Sequence, residues 1–295
     1  MKKFTSLILT FFMLIFVIPT NVNAATITDN SKDIKENIDF FNTFPDLKKN
    51  LDENGYDELI ETQNQYFKVE LKNKSLRKSV YDSSDFNFIK ITEDEYNTAK
   101  ITESLKSSVR GENDDFIHGV GGDSYLRLTL SIFRNSSARY KFSVTHRYEW
   151  IKPPSFTFKD AIGISVGPIM KIISNTWLSQ SAHNSYVWDP SSPTGQTPVT
   201  RVDDNTDIKH SNVGVATKFD LEGATENEFG YISCEVQFSQ TGSSLGHQSS
   251  NVFGNYIHTQ IGFSGGLSIG LDGKPSIGAN FIDKEYSYSA DVGYN

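Results

Sequence analysis

The segment from Ile261 to Phe281, IGFSGGLSIGLDGKPSIGANF, constrains the fold of this chain more than any other stretch. Its apolar residues alternate with Gly and Ser, and a period of two is the repeat of a β-strand. The sequence Asp-Gly-Lys at positions 272–274 interrupts the alternation and indicates a turn. Pairing Leu271 with Pro275 keeps the apolar residues of both arms on one face. The segment therefore predicts a hairpin with a three-residue loop, Gly273 in the left-handed conformation, and one face of Gly and Ser.

The same alternation runs from residue 124 to the end of the chain. Residues 126–132 and 140–150 are two such runs joined by a polar turn, and similar runs follow the Pro153-Pro154 pair. Strand-like segments joined by short polar turns, without helices between them, are typical of antiparallel sheets. The sequence therefore predicts a mainly β protein in which residues 124–295 form an antiparallel β-sandwich or an elongated β-sheet domain.

Residues 25–110 follow a different pattern. The apolar residues from Ile34 to Phe44 recur at three- and four-residue steps, which predicts a helix ending at Pro45. A weaker helical pattern continues to Ile60 and is broken at Gly55. Two strand-like runs and a second helix are predicted after it, at residues 67–71, 86–91 and 92–107.

The stretch 111–123 is rich in Gly and acidic residues, and we expect it to be the linker between these two parts. Two interpretations of residues 25–110 stay open. This region is either a small α+β domain that precedes the β-rich domain, or a propeptide that guides folding or masks the rest and is then removed.

The N-terminus has the three parts of a secretory signal peptide. Lys2 and Lys3 precede an apolar run at residues 7–18, and small residues precede a cleavage site between Ala24 and Ala25. The apolar run is shorter than the ~20 residues that a membrane-spanning helix needs. We therefore expect residues 1–24 to be a signal peptide and the mature chain to be secreted from a bacterium into the extracellular space.

Charge and cysteine content exclude some functions. The formal net charge is −8, and neither part of the chain is basic, so nucleic acid is an unfavourable partner. Cys234 is the single cysteine, which excludes an intrachain disulfide. Its place in a strand-like run predicts a buried thiol rather than a nucleophile.

Serine and histidine give no catalytic assignment. The G-x-S-x-G pattern occurs at Gly163–Gly167 and at Gly266–Gly270. In esterases this serine stands on a sharp turn from a strand into a helix, whereas both matches here lie inside alternating runs. The six histidines lack the H-E-x-x-H spacing of zinc hydrolases. His146 lies on an apolar face, which predicts a structural histidine.

Asp203, Asn205 and Asp207 are spaced like the start of a calcium-binding loop. Ile208 and Gly214 stand where an EF-hand needs Gly and Glu, so this is not an EF-hand. Calcium bound by these oxygens and a solvated acidic turn both remain as interpretations. No other cofactor is expected.

A cluster of aromatic residues flanks the double proline. If they are exposed together, these side chains would form a platform for a sugar or a peptide, whereas the alternative is a place in the β core. The cluster consists of Tyr148, Trp150, Phe156 and Phe158.

These patterns favour a secreted, non-enzymatic protein that binds an extracellular or cell-surface protein or glycan. The alternative is a β-pore-forming toxin activated by removal of the N-terminal region, because the run from Gly262 to Leu271 is long enough to cross a membrane as a tilted strand. In that alternative alone, the membrane is a partner.

Overall fold

The computed structural model describes residues 39–71, 86–109, 123–153, 159–192, 196–221, 227–239, 248–258, 267–270, 272–277 and 284–294. The predicted signal peptide with Ala24 and Ala25, nearly all of the predicted linker, and both Phe156 and Phe158 lie outside these residues. The chain divides into two compact units, residues 1–40 and 41–295, and the elements below belong to the second. None of the helices in the described part of the chain is long and apolar enough to span a membrane.

Residues 39–43 are helical, and two longer helices follow, α1 (Pro45–Glu53) and α2 (Glu93–Val109). The strands are β1 (Tyr56–Leu71), β2 (Phe86–Ile91), β3 (Ser124–Asn135), β4 (Lys141–Ile151), β5 (Lys159–Val166), β6 (Met170–Ile172), β7 (Leu178–Trp188), β8 (Gln196–Asp204), β9 (Ile208–His210), β10 (Gly214–Asp220), β11 (Asn227–Phe238), β12 (Gln248–His258), β13 (Leu267–Ile269), β14 (Pro275–Ile277) and β15 (Lys284–Tyr294).

The strands form two main antiparallel sheets. The larger sheet has the order β2-β1-β3-β4-β11-β7-β8, with β6 also paired to β11, and the smaller has the order β15-β12-β5-β10-β9. One core lies between them, because Leu128 and Ile132 of the larger sheet share a cluster with Ile164 and Val252 of the smaller. The fold is therefore an antiparallel β-sandwich, which confirms the predicted fold class.

The region before the predicted linker contributes to the larger sheet. β1 pairs with β2 on one side and with β3 on the other, and Phe67 and Val69 of β1 lie in the shared core. The predicted strands and the second helix are confirmed as β1, β2 and α2. The predicted helix end at Pro45 is confirmed, because residues 39–43 are helical and Phe44 is not, and Pro45 then starts α1, where its fixed φ and missing N–H are tolerated. Ile60 belongs to β1.

The C-terminal hairpin has a register that differs from the predicted one. Ile269 pairs with Pro275, and the Gly270 N–H donates to the Lys274 carbonyl at 2.9 Å. The predicted pairing of Leu271 with Pro275 is therefore wrong by two positions, a shift that leaves the same side chains on each face. Gly273 has φ +79°, which confirms its predicted left-handed conformation.

This hairpin packs as an outer layer on the smaller sheet. Leu267 is buried against Ala161 and Ala216. At its tip the backbones of Gly273 and Gly214 approach so closely that a Cβ on either glycine would overlap the other segment. Small residues on this face of the smaller sheet therefore admit a second layer of backbone.

Candidate functional site

The serine of the first G-x-S-x-G match is part of the structure of the smaller sheet. Ser165 lies in β5 with 1% of its surface exposed, and its Oγ accepts a hydrogen bond of 3.0 Å from Asn255 Nδ2. Ser268 of the second match lies in β13, a strand of three residues. Neither serine stands on a turn from a strand into a helix, which is the geometry that an esterase nucleophile requires.

A buried polar network joins the two sheets. Asp160 and His258 face each other across β5 and β12, with His258 Nδ1 2.9 Å from Asp160 Oδ1. The Tyr256 hydroxyl donates to the same carboxylate and accepts a hydrogen bond of 2.8 Å from Trp150 Nε1. All four side chains are 0% exposed.

This network resembles the histidine–carboxylate pair of a general base, but no part of it reaches solvent. Burial and the negative charge of Asp160 hold the pKa of Tyr256 well above its usual value, so the tyrosine stays a hydrogen-bond donor. Phe88 of β2 packs over the network, with its ring centroid 5.4 Å from that of His258. The network therefore stabilises the contact between the sheets.

His146 and Cys234 also lie in the core. His146 is 0% exposed and its Nδ1 lies 3.0 Å from the Gly163 carbonyl oxygen. Burial lowers the pKa of His146 to about 3, although the hydrogen bond with Gly163 opposes the shift. Burial likewise raises the pKa of the Cys234 thiol. Both residues are structural, which confirms the two predictions.

The three residues predicted to bind calcium have other contacts. Asp207 forms ion pairs of 3.2 Å with Lys209 and with Lys218, which lower the pKa of its carboxyl group. Asn205 bonds to side chains of β7, and Asp203 is exposed on β8 with its Oδ2 3.9 Å from His183 Nδ1. Across the described ranges, no group of three or more His, Cys, Asp or Glu side chains is placed to hold a metal ion. Calcium binding here stays a prediction.

The aromatic residues of the predicted platform are buried where they are described. Tyr148 stacks on Phe219 with ring centroids 4.3 Å apart, and Trp150 belongs to the buried network. Neither side chain is available to a ligand at the surface. The aromatic platform stays a prediction for Phe156 and Phe158 only.

A groove opens to solvent between α2 and strands β1 and β3 of the larger sheet. It has a volume of about 560 Å³ and combines four carboxylates with two lysines and several neutral side chains. Sequence analysis missed it, because its walls come from segments that meet only in the folded chain. Its lining consists of Lys68, Ile91, Asp94, Glu95, Thr98, Ala99, Thr102, Glu103, Asp123, Tyr125 and Lys152, and we call it the α2 groove.

Hydrogen bonds and ion pairs hold parts of the α2 groove in place. Glu95 caps the start of α2 by accepting hydrogen bonds from the Thr92 N–H and hydroxyl, which lower the pKa of Glu95. Lys68 forms an ion pair of 3.0 Å with Asp123. Lys152 has φ +54°, a conformation that a residue with a Cβ rarely adopts.

An ion cluster fixes α2 to the sheet beside the groove. Lys100 of α2 lies 2.8 Å from Glu149 of β4, and Arg127 of β3 binds the second carboxylate oxygen. Burial opposes ionisation of Glu149, but the charges and hydrogen bonds of Arg127 and Lys100 outweigh it and lower the pKa to about 2. The helical wall of the groove is therefore preorganised.

No protein-family model matches the sequence, and no curated protein matches it. Solved structures overlap it weakly. A collagen-binding domain from a Staphylococcus aureus adhesin is 6% identical over 52% of this chain and 89% of that domain, with a TM-score of 0.27. A structure of Fap1 fimbriae of Streptococcus parasanguinis is 17% identical over 55% of this chain and 78% of that chain, with a TM-score of 0.27. A pore forming protein is 9% identical over 57% of this chain and 86% of that chain, with a TM-score of 0.24. At TM-scores this low, the overlaps carry no argument about function.

Proposed function

We propose that this chain is a secreted, non-enzymatic bacterial protein that binds an extracellular or cell-surface protein or glycan at the α2 groove. One observation carries the proposal. The described side chains that resemble catalytic groups, Asp160 with His258 and Ser165, are buried in the core, whereas the α2 groove is open and preorganised. The signal sequence supports an extracellular site of action.

The chemistry of the groove suits a polar partner. Thr98 and Thr102 lie one turn apart on α2 and line the groove together with Lys152, and the Thr102 hydroxyl donates a hydrogen bond of 2.7 Å to the Thr98 carbonyl. Hydroxyl, carboxylate and ammonium groups on a fixed framework provide hydrogen bonds for the polar groups of a glycan or a peptide. A preorganised groove also lowers the ordering cost of binding.

The test is a binding screen of the mature protein against immobilised extracellular matrix proteins and glycans. The variant Thr98→Arg/Thr102→Arg fills the groove, and we expect it to weaken the binding found for the wild type by roughly tenfold or more. The matched control is Ile101→Arg, because Ile101 lies on the same helix, is 60% exposed and does not line the groove. Binding that survives in the groove variant but is lost in the control would contradict the assignment of the groove.

The pore-forming alternative predicts a different result from the same preparation. In the folded chain Leu267 packs on the smaller sheet, so insertion of the hairpin into a membrane would require that contact to break. We expect no dye release from liposomes at micromolar concentration, either from the intact protein or after cleavage between the two parts. Dye release would replace the binding proposal with the pore-forming one.

A further inference from the structure

Strand β8 is the last strand of the larger sheet among the described strands, and it pairs with β7 alone. Residues 200–204 are all exposed, on both faces of the strand. An edge strand of this kind presents backbone N–H and C=O groups that are available to another strand. The backbone directions and the side-chain charges along β8 indicate which second strand can pair with it.

The ladder with β7 shows which backbone groups face outward. Asn205 N–H donates to the Ser179 carbonyl at 3.1 Å, and this pair continues the unbroken register of β7 and β8. Backbone direction alternates along an antiparallel strand, so residues 201 and 203 also bond to β7. Residues 200, 202 and 204 therefore direct their N–H and C=O groups away from the sheet. Pro198 lies on the outward-facing set too, where its missing N–H costs no bond within the sheet.

The side chains of β8 are self-complementary about Val202. Arg201 and Asp203 flank Val202 and point to the same face of the strand, with opposite charges. Val202 is 44% exposed, and the side chain of Asp203 is 67% exposed. A second β8 that runs antiparallel with its own Val202 opposite this one brings Arg201 of each copy opposite Asp203 of the other.

That register also uses every outward-facing backbone group in this half of the strand. Thr200 pairs with Asp204 of the other copy, and Val202 pairs with Val202. A register centred on Thr200 instead would place Pro198 opposite Val202, lose a backbone hydrogen bond and separate the opposite charges. Charged side chains on an edge strand often prevent pairing with another strand. That role does not require a positive and a negative charge placed symmetrically about one residue, as they are about Val202.

We propose that β8 is a self-association edge, at which a second copy of this chain pairs antiparallel about Val202 and continues the larger sheet across a two-fold axis. The interface is short, so the dimer forms in a concentration-dependent manner. This inference does not depend on the partner of the α2 groove.

Charge exchange tests the proposal in the full mature chain. Sedimentation velocity across the micromolar range gives the dissociation constant of the dimer. Arg201→Asp or Asp203→Arg alone places like charges opposite each other twice, and we expect each to raise this constant roughly tenfold. The double variant Arg201→Asp/Asp203→Arg restores both opposite-charge pairs, and we expect it to return the constant to near that of the wild type.

Two proline variants test the backbone assignment. Val202→Pro removes an outward N–H, so we expect a folded monomer with an unchanged melting temperature and no dimer. Arg201→Pro removes an N–H bonded to β7, so we expect a lower melting temperature. A wild-type protein that stays monomeric at its highest soluble concentration would overturn the proposal. A dimer that the double variant fails to restore, or that Val202→Pro leaves intact, would overturn it as well.

Discussion

Strands β1 and β3 lie side by side in the larger sheet but come from the two parts of the chain that the glycine-rich stretch 111–122 separates. β3 is buried over most of its length, whereas β1 is exposed from Asp57 to Leu59 and buried only at Tyr56, Tyr66, Phe67 and Val69 among its described side chains. The later part of the chain therefore provides most of the core, and the earlier part adds a few large side chains to it. This difference indicates that residues 41–109 depend on the rest of the chain for their stability.

The later part of the chain also depends on the earlier part for its stability. Phe88 of β2 covers Trp150 and His258, with ring centroids 6.3 and 5.4 Å away. Without β1 and β2, the β3 edge would lose its partner and this part of the core would face water. We therefore expect the two parts to unfold together, and the following variants test that expectation.

The largest effect is expected from Phe67→Ala. Phe67 is 5% exposed in the shared core, so its loss leaves a cavity and should lower the free energy of unfolding by about 3–5 kcal/mol. Urea denaturation followed by fluorescence and by circular dichroism should show one shifted transition in both signals. Leu59→Ala is the matched control on the same strand, at a residue 46% exposed, and should change stability by less than about 0.5 kcal/mol. Two separate transitions, with only one shifted, would contradict a shared core.

A smaller effect is expected from Glu149→Ala. This change removes the carboxylate that Lys100 of the earlier part and Arg127 of the later part share, and it leaves Arg127 largely buried without that partner. We expect a loss of roughly 2 kcal/mol at neutral pH, measured by urea denaturation. Glu58→Ala, which removes an exposed partner of Arg134, is the control and should cost less than about 1 kcal/mol. An equal cost for the two changes would show that the ion cluster does not fix α2.

Within the first pH unit below 6.5, the smallest effect is a dependence of stability on pH through His146. Burial lowers its pKa to about 3 in the folded chain, whereas the unfolded chain takes up the proton below about pH 6.5. The free energy of unfolding should therefore fall by about 1.4 kcal/mol per pH unit between about pH 6.5 and pH 3. In His146→Leu this contribution should disappear. The difference between the two unfolding curves against pH measures it, and parallel curves would contradict a neutral buried histidine.

Alternation of apolar residues was sufficient to predict an antiparallel β-sandwich or an elongated β-sheet domain, because each strand buries one face at a period of two. The first half of β1, with the sequence YDELIETQNQ, carries little of that signal because much of it is exposed, and Leu59 and Ile60 fit a helical spacing equally well. The predicted hairpin register differs from the observed one by two positions, because the alternation of side chains does not distinguish the two registers. A shift of two residues preserves the faces, so only contacts at the tip select the observed pairing.

The candidate sites were less predictable than the fold. Asp160 and His258 are far apart in sequence and meet only because β5 pairs with β12. The α2 groove likewise needs α2 to pack beside β1 and β3, which no local pattern encodes. His146 was predictable as structural because its neighbours on one face of β4 are apolar.

The most direct test of the shared sandwich is to produce residues 25–110 and residues 111–295 as two separate chains in the same cell. The pairing of β1 with β3 predicts that the two fragments associate in equal amounts, co-purify and melt in one transition, while residues 111–295 alone aggregate or fail to fold. Residues 111–295 that fold alone into a stable monomer and do not bind residues 25–110 would contradict the account.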